Sequence, residues 1–221
     1  MPTLSDVHSA APSSAPSVVP CVVPAVAHSG ADPDIAADSH VEADMRRWLE
    51  RAVIGLNLCP FAKAVHVKGQ IHYAVSYATQ AADLLDDLNR ELQSLQALDA
   101  AVRDTTLLVA PNCLQDFLEF NDFLARANRL VKRSGLQGVV QIAPFHPQFQ
   151  FAGTEADDIT NFTNRAPYPT LHLLREASVD RAVAVFAQPE DIFEKNRQTL
   201  TELGLAGWAA LDVGPRGNIG P

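Results

Sequence analysis

Residues 105–143, TTLLVAPNCLQDFLEFNDFLARANRLVKRSGLQGVVQIA, decide the fold. They open on a short apolar run, 105–110, which reads as a buried strand, and pass through Pro111 and Asn112 into a long helix. Phe117, Phe120, Leu124, Ala127 and Val131 recur at helical spacing as its inner face, and Gly135 ends it. GVVQIA, 138–143, is the next strand. Upstream, VHVKGQIHYAVSY, 65–77, alternates as a strand should, and Leu84, Leu88, Leu92 and Leu95 lie on one stripe of a helix over 81–98. Strand, helix, strand, helix, strand with short loops makes right-handed parallel crossovers the default.

Either side of this series the chain reads as helical. Ser39 is a cap with Glu42 as its capping-box partner, and Met45, Trp48, Leu49 and Ala52 repeat as a buried stripe that ends near Gly55. On the C-terminal side, helices are expected over 157–164, 170–186 and 189–203, with Pro189 in a first turn and Gly204 as the stop. The expected architecture is α/β or α+β, with a small, mainly parallel sheet from the βαβαβ series and additional C-terminal helices. One domain is expected over 40–204, with a disordered Ala/Ser/Pro-rich tail over 1–39 and a flexible tail over 205–221.

Composition narrows the function. The 221 residues, 47% hydrophobic and 19% charged, suit a globular domain with a core. Residues 1–40 hold no Lys or Arg, four of the 26 acidic residues and six of the 15 prolines, so the remainder carries about −5 against −9 for the whole chain. A net acidic domain disfavours nucleic acid and anionic membranes as partners. The apolar run 16–27, PSVVPCVVPAVA, has no basic residue before it and is broken by Pro16, Pro20 and Pro24, which argues against a secretory signal. Cys21, Cys59 and Cys113 form no close pair, as expected of reduced cytosolic thiols.

Chemistry concentrates in residues 145–176, FHPQFQFAGTEADDITNFTNRAPYPTLHLLRE, where amides and charges sit among aromatics and prolines. His146 follows a strand end and precedes a proline that pins its backbone, so it is either a positioned imidazole or a turn histidine bonded to a carbonyl. Asn112 leaves the preceding strand in similar wording and is expected on the same edge. Asp157, Asn161 and Asn164 share one face of the expected 157–164 helix, a ligand face or simply a wet one. In the 170–186 helix, His172, Arg175 and Glu176 stand at i, i+3 and i+4, which suits either an anion site or a surface ion pair. No zinc-ligand spacing is present. Cys59, in GLNLCPFAK, is a buried structural thiol or a reactive one helped by Lys63, and Cys113 reads as packing.

GLNLCPFAK, APFHPQFQFAG and NRAPYPTLHLLREASV make residues 40–204 resemble a bacterial family known as domain of unknown function 1415. That resemblance implies a bacterial, cytosolic, single-domain protein and supplies no activity; the N-terminal tail is an extension of the family pattern. The residues themselves support an enzyme acting on a small anionic metabolite. In that reading His146 is general acid or base, Arg165 and Arg175 hold a carboxylate or phosphate, Asn161 and Asn164 orient it, and His172 with Glu176 supports. The alternative is a non-catalytic module that binds a small ligand or a protein through the same face. A single site requires His146, Arg165 and His172 to converge at the C-terminal edge of the sheet, walled by Phe149, Phe151 and Tyr168.

Overall fold

The computed structural model describes residues 33–184 and 191–216. In chain order its elements are α1 (Pro33–Trp48), a π-helical turn (Leu49–Ile54), α2 (Ala62–Val67), β1 (Ile71–Val75), α3 (Ala81–Ala97) and β2 (Thr105–Val109). There follow α4 (Phe117–Arg133), β3 (Val140–Phe145), a 3-10 turn (Ile159–Asn164), β4 (Thr170–Arg175), α5 (Glu176–Ala184) and α6 (Asp191–Ala210). The expected tail lies outside the described residues up to 32, and α1 already covers Pro33 onward. No described helix is long and apolar enough to cross a membrane.

The sheet runs β1-β2-β4-β3. β1 and β2 pair in parallel, while β4 lies antiparallel to both β2 and β3. The sheet is therefore mixed rather than mainly parallel. The reason is β4: its residues were expected to continue a helix, but TLHLL also satisfies the period-2 pattern of a strand. With β2 and β3 offering open edges on either side, the segment extends, and its main-chain groups are satisfied by both neighbours.

Alternation then divides the core in two. Leu108, Leu171, Leu173 and Val140 face α3 and α4, meeting Leu84, Leu88, Leu92 and Leu95 together with Phe120, Phe123, Ala127 and Val131. Leu107, Val109 and Tyr73 face the other way, under Met45, Trp48, Leu49 and Ala52. All three helical stripes expected from the sequence thus pack into the core, because an apolar stripe at 3.6-residue spacing has only one side to bury.

Several boundaries moved. Residues 62–67 form α2 and leave only Ile71–Val75 as strand. The long helix starts at Phe117 rather than Pro111, since the Asp116 carboxylate caps the Leu118 and Glu119 N–H groups and the preceding residues turn through Leu114 at φ 56°. The 157–164 helix shrinks to the 3-10 turn at Ile159–Asn164. The expected start of the last helix at Pro189 lies outside the described residues. Gly204, at φ 64° and ψ 173°, interrupts the helix where a stop was expected, and a second helical stretch runs on to Ala210. The expected flexible tail is helical to Ala210, and residues 211–216 are bonded to α1 and the π-helical turn: Arg47 donates to the Asp212 and Gly214 carbonyls at 2.8 and 2.6 Å, and Arg51 to the Leu211 carbonyl at 3.0 Å.

Gly55 closes the π-helical turn, where a Cβ would stand 2.2 Å from the Arg51 carbonyl oxygen. Gly55→Ala is expected to force that turn apart and lower stability by about 1–3 kcal/mol, read as a fall in the urea midpoint. An unchanged midpoint would show that the turn relaxes to ordinary helix at no cost.

Candidate functional site

The residues proposed from 145–176 do not converge. His146 follows β3 on the α4 side of the sheet, its ring against Phe117 and Phe120 at 5.5 and 5.1 Å between centroids. His172 pairs with Leu107 and Ala143 on the opposite side, with Phe145 6.1 Å away. Arg175 returns to the α4 side and lies at the far end of the sheet, opposite Val140. The helical spacing that grouped His172, Arg175 and Glu176 dissolves in a strand, where neighbours alternate and Glu176 opens α5.

Most of these side chains serve backbone. His146 is fully buried; Nε2–H donates to the Leu114 carbonyl at 3.1 Å, and Nδ1 accepts from the Gln148 N–H at 3.0 Å. The turn-histidine alternative describes this geometry, and the ring bolts the β2–α4 loop to the start of the long β3–β4 connection. Burial holds its pKa below the ordinary histidine value. Asn161, also fully buried, accepts from the Phe151 N–H and the Thr154 hydroxyl and donates to the Glu155 carbonyl. Asn164 donates to the Pro144 carbonyl at 3.2 Å. Arg175 donates to the Leu95 and Leu98 carbonyls at 2.5 and 2.7 Å, satisfying the end of α3, and to the Arg103 carbonyl. A long connection without regular pairing leaves many main-chain groups to satisfy, and its amides and charges satisfy them.

His172 is held differently. The Thr105 hydroxyl donates to the Leu173 carbonyl at 2.6 Å and therefore accepts from His172 Nε2–H at 2.7 Å. Burial pushes the His172 pKa down to about 4, so the ring is neutral near pH 7, with Nδ1 as its unprotonated nitrogen. Burial also raises the Cys59 thiol, against opposing N–H groups of Phe61 and Ala62, so it is protonated at neutral pH. Cys113 is buried among the α3 and α4 side chains, as packing requires. Among the described residues no group of three or more His, Cys, Asp or Glu is placed to hold a metal ion.

What does converge is a cleft of about 230 Å³ beside the sheet. Trp48 from α1, Phe162 and Arg165 from the β3–β4 connection, and Trp208 from α6 line it, with Pro147, Pro167 and Pro215. Its walls are tied together. Trp48 Nε1–H donates to the Arg165 carbonyl at 2.8 Å, Trp208 meets Phe162 edge-on at 5.0 Å, and the Arg165 guanidinium lies 4.2 Å over the Phe162 ring. Arg165 Nε and one Nη donate to the Phe149 and Ala156 carbonyls, which sets the fork's orientation. Beneath, Asp44 accepts from the Tyr168 hydroxyl and the Arg216 N–H, each at 2.8 Å, and from Arg47 at 2.7 Å. Burial raises the Asp44 pKa, but those donors outweigh it and hold the carboxyl below its ordinary value. The network fixes residues 211–216 as the far wall.

Of the expected wall residues, Tyr168 is buried in this network, while Phe149 and Phe151 pack on Phe117 and Phe193 instead. Sequence reading included Arg165 but missed Trp48 and Trp208 as cleft residues. Their only signal was rarity: the chain has two tryptophans, and both line this cleft.

The fold and cleft define a small mixed-sheet α/β domain with an aromatic recess lined in part by residues that follow β3 and precede β4. The chain belongs to the family described as protein of unknown function DUF1415, whose model matches residues 40–210. No curated protein and no solved structure matches it.

Proposed function

We propose that this protein is a small-ligand binding module, cytosolic as its family resemblance and sparse cysteines imply, and that its cleft takes a flat, apolar molecule carrying one negative charge. The observation that carries this reading is the gathering of both tryptophans, Phe162 and Arg165 around one recess. Aromatic walls favour a planar body, by stacking and by apolar area removed from water. Arg165 supplies the charge preference. Burial lowers its pKa, the sign of a desolvated cation, and its second Nη is the part of the fork not committed to a carbonyl among the described residues. The indole N–H of Trp208, with no acceptor among the described residues, suits a ligand oxygen. Binding is favoured over catalysis because His146 has both ring nitrogens committed to main chain and His172 stands on another element of the core.

Intrinsic fluorescence tests this directly, since every tryptophan reports on the cleft. Benzoate and phenylacetate are expected to quench saturably and to bind about tenfold more tightly than benzyl alcohol, the difference one charge-assisted hydrogen bond makes. Trp208→Ala should weaken that binding at least about tenfold while leaving the circular dichroism unchanged. Linear, unsaturable quenching by all three compounds would overturn the reading.

A further inference from the structure

We propose that a second cavity, between residues 56–60 and α6, binds a small carboxylate that carries a hydroxyl or ammonium group on the neighbouring carbon. The cavity, about 270 Å³, is lined by Leu56, Asn57, Pro60, Ile192, Lys195, Asn196 and Thr199. It lies against the GLNLCPFAK segment, a stretch of sequence that the aromatic cleft does not use.

Three observations converge there. Asn196 is 6% exposed and its Nδ2 donates to the Leu58 carbonyl at 2.9 Å, which fixes the amide and leaves Oδ1 as an acceptor with no partner among the described residues. Asn196 lines the cavity, and there Oδ1 can accept from a ligand's N–H or O–H. Lys195, one residue earlier, is paired among the described residues only with the Asp191 carboxylate at 3.8 Å, a long and exposed contact that a ligand carboxylate displaces at little cost. Asn57 is held at φ 55°, in the left-handed region, and its side chain completes the rim. Asparagine is among the few non-glycine residues that adopt that region readily.

The chemistry of the occupant follows from the lining. Lys195 favours an anion, Asn196 Oδ1 can accept from an N–H or O–H, and both stand on one α-helical face with Ile192 and Thr199. A carboxylate and a donor on adjacent carbons suit two groups contributed by neighbouring residues. Leu56, Pro60 and Ile192 leave an apolar wall for a short branched side chain.

The test uses three compounds of one carbon skeleton on the full chain: leucine, 2-hydroxy-4-methylpentanoate and 4-methylpentanoate, with binding followed by calorimetry. Leucine or the hydroxy acid is expected to bind saturably and about tenfold more tightly than 4-methylpentanoate, which lacks the donor. Which of the two binds identifies the donor. Lys195→Met and Thr199→Val, both conservative in volume, should each weaken it several-fold, and Trp208→Ala should leave it unchanged, which separates this site from the aromatic cleft. Equal affinity for all three, no saturable binding by any, or binding indifferent to Lys195→Met would overturn the proposal.

Discussion

His146→Ala is expected to unfold this protein more readily, not to silence it. The substitution removes a fully buried ring wedged against Phe117 and Phe120 and leaves the Leu114 carbonyl and the Gln148 N–H without partners. Cavity and orphaned polar groups together cost about 3–5 kcal/mol. That is a large fraction of the stability of a domain this size and lowers its melting temperature by roughly 10 °C. Thermal and urea unfolding of the variant measure it. A histidine kept for chemistry predicts the reverse, an unchanged midpoint, and that result would return His146 to a functional role.

Mild acid is expected to weaken the fold. His172 is pushed down to about 4 and His146 is also lowered, in both cases mainly by burial, against an ordinary value of 6.5. Above pH 6.5 both rings are neutral folded or unfolded, and they contribute no pH dependence. As pH falls below 6.5 the unfolded chain takes up protons that the native rings refuse, so stability drops until the folded pKa is reached. For His172 alone the loss between pH 6.5 and 4 is at most about 3 kcal/mol, at ~1.4 kcal/mol per unit. Asp44, held low by its donors, adds to the loss only as pH falls further. Urea midpoints at pH 7.5, 6 and 4.5 should decline in that order, and His172→Gln should flatten the decline. Midpoints that stay level from 7.5 to 4.5 would mean that the native ring accepts a proton as readily as the unfolded one does.

The first expectation reflects a general feature of the β3–β4 connection, whose polar groups serve its main chain, whereas His172, on β4, is bonded to the Thr105 hydroxyl. The composition of residues 145–176 read from sequence as a site in an apolar frame, and the apolar frame is present. What the side chains do in it depends on which carbonyls and N–H groups remain unpaired once the strands have formed. No local pattern carries that information, because Asn161 answers Phe151 and Glu155 while Arg175 answers Leu95, on an element 80 residues away.

By itself the sequence determined the elements whose pattern is local and unambiguous. The Leu84–Leu95 stripe, the Phe120–Val131 face and the Met45–Ala52 stripe each admit one period and one side to bury, and the short apolar run at 105–109 is a strand buried on both faces. Tertiary structure decided the rest. LHLL at 171–174 fits a helix or a strand, and the open edges of β2 and β3 chose the strand, which split His172 from Arg175 and set them on opposite sides of the sheet. The cleft was decided there too, since Trp48, Phe162 and Trp208 meet only when α1, the β3–β4 connection and α6 pack together, and side chains that far apart in sequence leave no periodicity to read.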